Sequence, residues 1–222
     1  MAKVNIGVDL AATAQGRNWS AVAVLDGRGR LRDEPTHFRR AEELVEVVRR
    51  LDPADVVLAV DAPRSVPDWG AENYAYRSCE RAAKAIDRGA GSFSGVAALY
   101  LRWYDIETKQ LQGYRVIETY PRVVWKRLDL PGKPKQYPQN RQAVQQRLGE
   151  LVGFSCGGFS SHQVDATLCA YVAFRYANGL AEGLGTPGEG LIYVPAKEGV
   201  SPVPPGAEVI GDHFRRFLSM RP

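Results

Sequence analysis

The chain has 222 residues, enough for one domain with a substantial core and at most a short appendage. Hydrophobic residues make up 45% and charged residues 24%, an ordinary globular balance that excludes disorder over most of the length. The net charge of +4 suits an anionic partner without identifying one.

The first elements are strands. VNIGVDLA is a short, branched apolar run ending in Asp9, the pattern of a buried strand. Trp19 to Leu25 reads as a second strand, with a turn at Asp26-Gly27 and Gly29, and a third lies between Arg30 and Phe38. Ala41, Leu44, Val45, Val48 and Leu51 recur at helical spacing before Asp52-Pro53 stops the helix. VVLAVDAP follows and ends in Asp61. Its unbroken apolarity favours a central parallel strand reached by a right-handed crossover.

Farther on, Tyr74 to Asp87 reads as a helix, Gly89 to Gly95 as a loop, and Tyr114 to Thr119 as a strand carrying Glu118. Pro121 to Arg127 is a candidate short helix, LPGKPKQYPQN a basic loop, and Asn140 to Val152 a helix with Val144, Leu148, Leu151 and Val152 on one face. The last long helix spans SHQVDATLCAYVAFRYA, with Ser160 and Gln163 in capping-box spacing and Gly179 as its stop. Beyond Gly183 only LIYVP reads as a strand and His213 to Leu218 as a helix. The expected domain is 1–195, followed by a Pro-rich extension at 196–222.

Three strands end near an acid: Asp9, Asp61 and Glu118. Parallel strands would bring these acids to one rim, where open α/β sheets carry their sites. Asp165 stands in the first turn of the last helix, with His162 three residues before it on the same face. Carboxylates crowded on a half-buried rim repel one another, and a hard divalent cation, magnesium or manganese, relieves the repulsion. Two such ions about 4 Å apart activate water and stabilise a leaving phosphodiester oxygen. His162 could ligate, position water or move a proton. Each residue also has a plainer role: turn capping for the strand-end acids, dipole complementation for Asp165 and a satisfied surface position for His162.

The set GVDLA, AVDAP, VIETYPR, HQVDATLCAYVA and EGLIYVP resembles the ribonuclease H-like family called domain of unknown function 429, described as predicted nucleases, from about Val4 to Pro195. A more distant resemblance is to the RuvC-type Holliday-junction resolvases, whose catalytic set is an Asp in the first strand, a Glu ending the fourth strand and an H-x-x-D or D-x-x-D pair on the last helix. Asp9, His162 and Asp165 match those roles, and Asp61 matches the Glu position with a shorter side chain. Glu118 is an additional acid.

The resemblance implies an α/β, five-stranded mixed sheet flanked by helices, with the first three strands antiparallel and the last two parallel to the first. It also implies a magnesium- or manganese-dependent hydrolase of nucleic acid. The expected catalytic residues are Asp9, Asp61, Glu118, His162 and Asp165, with Asp9, Asp61 and Asp165 on the metal. Arg77, in an R-x-C-[DE] element of that family, joins Arg122 and Lys126 as substrate-binding residues. Arg81, Arg102, Arg127, Lys133 and Lys135 are further cationic candidates for phosphate contact.

Two other functions compete. An actin-like phosphotransferase would need Gly-rich phosphate loops, and Asp9 is followed by Leu-Ala-Ala, Asp61 by Ala-Pro-Arg. A non-catalytic binding module would leave the acid set without work, although buried unpaired carboxylates cost stability. No Ser, Cys or Lys stands beside a base as a nucleophile, and Cys169 reads as a core residue. The three cysteines, Cys79, Cys156 and Cys169, form no C-x-x-C pair and read as free thiols of a reducing compartment. With no signal-peptide pattern at MAKVNIGVDLAATAQ and no membrane-spanning run, the expected location is cytoplasmic with no membrane partner. A homodimer is left open.

Overall fold

The computed structural model describes residues 2–11, 19–65, 76–132 and 136–197. Its strands are β1 (Val4–Asp9), β2 (Ser20–Asp26), β3 (Thr36–Phe38), β4 (Val56–Asp61), β5 (Arg115–Thr119), β6 (Ala181–Leu184) and β7 (Ile192–Pro195). Its helices are α1 (Ala41–Arg49), α2 (Ser78–Ile86), α3 (Phe93–Gln110), α4 (Pro121–Arg127), α5 (Tyr137–Val152) and α6 (Ser161–Ala177).

The strands form one sheet in the order β3-β2-β1-β4-β5-β7-β6. The first three are antiparallel, and β4 and β5 run parallel to β1. This is the strand arrangement expected from the sequence, with β1 and β4 as neighbours. The sheet has seven strands where five were expected. LIYVP joins β5 in parallel through only two residue pairs, and β6 closes the edge antiparallel to β7. The β6 segment AEGL carries neither β-branched residues nor clean alternation, so its strand character comes from the β7 edge it meets.

Two apolar layers cover the sheet. On one face Val4, Ile6 and Val8 of β1 join Val56, Leu58 and Val60 of β4 beneath Leu44, Val45 and Val48 of α1 and Trp103 and Ile106 of α3. On the other face, α4, α5 and α6 pack over Ala21, Ala23, Val57, Ala59 and Ile117. The strand period of two sorts these residues: odd positions of β1, Asn5, Gly7 and Asp9, share the α6 face.

On that face the residues are small. Gly7 pairs with Ala23 on one side and Ala59 on the other. Above this row α6 contributes Ala166, Cys169, Ala170 and Ala173, all fully buried. A Cβ placed on Gly7 would stand 2.0 Å from the Ala166 carbonyl oxygen and 2.1 Å from the Ala170 nitrogen. The helix backbone therefore lies directly on the strand.

The capping box expected at α6 is present: Ser160 Oγ accepts from the Gln163 N–H, and Gln163 Oε1 accepts from the Ser160 N–H. Gly179 follows the helix at φ +69°, the left-handed conformation that suits a glycine stop. α3 is an eighteen-residue helix that periodicity did not reveal. Tyr100, Trp103 and Ile106 are buried along it while Leu101 is 54% exposed, so apolar residues are not confined to one stripe. α2 begins at Ser78, within the expected Tyr74 to Asp87; residues 74 and 75, Lys133, Lys135, the helix expected at His213 to Leu218 and all of the extension from 198 onward lie outside the described residues. Among the described residues no helix is long and apolar enough to cross a membrane.

Because the obstacle to a side chain at Gly7 is helix backbone, Gly7→Ala should cost about 3 kcal/mol or more, at the upper end of overpacking penalties. Urea unfolding of the two proteins measures this, and a wild-type midpoint for the variant would contradict the close approach.

Candidate functional site

Asp9 ends β1 and Asp61 ends β4, and the two are paired residues of adjacent parallel strands. Neighbouring strands lie about 4.8 Å apart, so two carboxylates leave the same face of the sheet side by side. α6 begins above them. His162 Nδ1 lies 2.6 Å from Asp9 Oδ2. Asp165 is the fifth residue of α6, one position past the first turn where dipole complementation is strongest.

The charges interact strongly. Burial, then the charges of Asp9, Asp165 and Glu118, push the Asp61 carboxyl well above the ordinary carboxylate range. Burial and Asp9 do the same to Asp165, with His162 opposing. The hydrogen bond that His162 donates to Asp9 raises the His162 pKa, against partial desolvation. Burial raises the Cys169 thiol well above its ordinary value, and the nearby acids add to it; it stays a protonated core thiol, as its sequence position suggested.

Elsewhere, buried acids have arginine partners. Glu118 accepts from Arg77 Nη1 at 2.8 Å and Nη2 at 2.6 Å, and from the Arg64 backbone N–H at 2.8 Å. Glu80 binds Arg77 through Nε and Nη2, and Arg64 holds Glu107 through Nε and Nη2 at 3.0 and 2.6 Å. Asp87 pairs with Arg122 at 2.7 Å. Among the described residues, no ion pair to Lys or Arg involves Asp61 or Asp165.

The expected site residues therefore fall into two groups. Asp9, Asp61, His162 and Asp165 come together at the ends of β1 and β4 beneath α6. Glu118 lies one strand over but pairs with Val60, not Asp61, so its side chain leaves the opposite face of the sheet from Asp9 and Asp61, contrary to the shared rim expected. It is 3% exposed, with its oxygens engaged by Arg77 and Arg64. Arg77, expected to bind substrate, is 1% exposed and holds Glu118, Glu80 and Ser65. Arg122 is half-buried and tied to Asp87; Lys126 is exposed on α4.

The Arg64–Glu107 pair was not legible, because 43 residues separate its members and nothing local marks them. Its effect is local all the same. Arg64, just after β4, is clamped by Glu107 while its own N–H binds Glu118, which fixes the chain immediately following Asp61. A recess of about 40 Å³, lined by Asp61, Arg77, Glu118 and Tyr120 among others, opens beside this clamp.

Fold and site thus define an α/β chain with a mixed sheet flanked by helices and an acidic cluster at the ends of its two central strands. Residues 7–102 match the family described as Protein of unknown function (DUF429). The matched span holds Asp9 and Asp61 but not Glu118, His162 or Asp165. No curated protein matches the chain in sequence. Two similar solved structures are of RuvC from Thermus thermophilus. RuvC in complex with a Holliday junction substrate is 15% identical, with 79% of this chain and 96% of that chain covered and a TM-score of 0.46. A second RuvC structure is 16% identical over the same coverage, with a TM-score of 0.44.

The raised carboxyls predict how stability depends on pH. A carboxyl with a folded pKa above its unfolded value stabilises the fold below the unfolded pKa, and that stability is lost as pH rises through the folded value. Without divalent cations, the protein should therefore lose stability from about pH 4 towards neutrality. Asp61→Asn and Asp165→Asn should flatten this loss and raise Tm at pH 7.5 by a few degrees, on the order of 2–4 °C per kcal/mol at this chain length. Melting curves in EDTA from pH 4 to 8 test it; variants that melt below wild type at pH 7.5 would contradict the repulsion.

Proposed function

We propose that this chain is a divalent-metal-dependent nuclease that hydrolyses phosphodiester bonds of nucleic acid by attack of water, with no covalent intermediate. The observation that carries the reading is the contrast in charge compensation. Asp61 and Asp165 have raised carboxyls and no Lys or Arg ion pair among the described residues, whereas Glu80, Glu107 and Glu118 each form an ion pair with arginine, Arg77 serving both Glu80 and Glu118. An uncompensated cluster costs stability unless a cation completes it.

The donors are hard carboxylate oxygens, the chemistry that magnesium and manganese prefer. Among the described residues no group of three or more His, Cys, Asp or Glu side chains is arranged to hold a metal ion, so the reading rests on donor chemistry and on charge alone. Asp9, Asp61 and Asp165 would hold the cation, which supplies Lewis acidity towards phosphoryl oxygen and acidifies water.

The chain's own residues have separable tasks. Asp9 accepts from His162 Nδ1 and so fixes the ring's orientation. With Nδ1 engaged, Nε2 is the nitrogen left to exchange a proton with water or a leaving oxygen, and the raised pKa keeps the ring protonated further towards neutral pH. Glu118 acts as a positioning residue, holding the segment after Asp61 through the Arg64 N–H while Arg77 pairs with it. Of the residues expected to meet substrate, Lys126 is the exposed cation; Arg77 serves the interior.

The test is cleavage of labelled single strands, duplexes, hybrids and junctions with magnesium or manganese. Asp9→Asn keeps the shape of the side chain and removes the charge, so turnover should fall by roughly a thousandfold or more, a loss of about 4 kcal/mol in transition-state stabilisation. EDTA should abolish wild-type cleavage. Activity that survives both would overturn the mechanism.

A further inference from the structure

Trp19 precedes β2 and is 37% exposed, whereas Trp103 and Trp125, the other tryptophans among the described residues, are buried. The Arg39 guanidinium carbon lies 3.8 Å from the centre of the Trp19 ring. No acid forms an ion pair with Arg39 among the described residues, while its neighbour Arg40 pairs with Glu43. A cation stacked on indole and free of carboxylate is available to phosphate or to the face of a base.

The stack adjoins the acidic cluster. The Trp19 and His37 rings are 6.0 Å apart, and the His37 and His162 rings 6.5 Å apart. His37 Nε2 is 3.1 Å from Ser160 Oγ, the N-cap of α6, and His162 meets Asp9 at 2.6 Å. Two ring spacings thus lead from Trp19 to the acids, a path of a few nucleotides at about 3.4 Å rise each.

The platform is braced from below. Arg102 of α3 donates through Nη2 to the Arg39 carbonyl oxygen at 2.9 Å and through Nη1 to the Ala11 carbonyl oxygen. Ser20 Oγ accepts from the Ala11 N–H at 3.1 Å. One side chain therefore ties the strand exit after Asp9 to the backbone of Arg39.

We infer that Trp19, Arg39 and His37 form a binding platform for single-stranded nucleic acid, stacking an unpaired base on Trp19 and leading its backbone towards Asp9. A duplex keeps its bases stacked on one another, so a lone indole on an open surface accepts only an unpaired base. The inference deepens the nuclease reading by naming the substrate as single-stranded at this side of the site. It concerns binding and stands or falls without turnover.

Anisotropy of fluorescein-labelled dT and U oligomers, and of a duplex of equal length, is measured in EDTA so that no cleavage occurs. Trp19→Ala should weaken single-strand binding by roughly five- to a hundredfold, Trp19→Phe should restore most of it, and duplex affinity should not change. Arg39→Ala should weaken single-strand binding and lower the salt slope by about 0.7. The dT and U arms show whether one or both sugars are accepted. A wild type that ignores single strands, or a Trp19→Ala protein that binds them like wild type, overturns the platform. Loss of cleavage in Asp9→Asn with single-strand binding intact would leave both readings standing. Absence of metal-dependent cleavage with Trp19-dependent binding would remove the nuclease reading alone.

Discussion

The contact on which the site depends is that of α6 with Gly7. The helix backbone approaches β1 so closely that no side chain fits between them. The row Ala23, Gly7, Ala59 on the sheet and the alanines of α6 make this approach possible over a full turn. Close packing of this kind leaves little freedom in height or rotation. The placement of Asp165 and His162 over Asp9 and Asp61 follows from it, since the acids lie two residues beyond the row in both strands. The capping box then sets where the helix begins, and hence which turn carries His162.

A second constraint acts from the side. Arg64 and Arg77 bind Glu107, Glu80 and Glu118 in the interior, with bidentate geometry at Glu107 and Glu118. Buried ion pairs contribute little net stability, yet removing one partner is expensive. Such a network suits positioning more than stabilisation, and what it positions is the chain after Asp61. The structure around Asp61 therefore contains two kinds of carboxylate: those paired with arginine, which hold the backbone, and those left with charge to share.

Much of the arrangement was legible in the sequence because it is local. Unbroken apolarity marked β1 and β4 as central, and the acids at their ends followed from strand direction. Ser160 and Gln163 fixed the start of α6, and so the pairing of His162 with Asp165. What was not legible is tertiary. The roles of Arg77 and Glu118 as a buried pair depend on contacts 41 residues apart. β6 owes its form to its neighbour, and α3 mixes buried aromatics with an exposed leucine. Trp19, His37 and Arg39 carry no spacing signal, since they meet only through antiparallel pairing of β2 and β3.

The central claim is that the uncompensated acids form a divalent cation site. It is tested most directly by a crystal grown with manganese, with diffraction data collected at the manganese absorption edge. The account predicts an anomalous peak among the carboxylates of Asp9, Asp61 and Asp165, at roughly 2.0–2.2 Å from their oxygens. Data showing those carboxylates ordered, with manganese saturating in the crystal and no anomalous density between them, would contradict it.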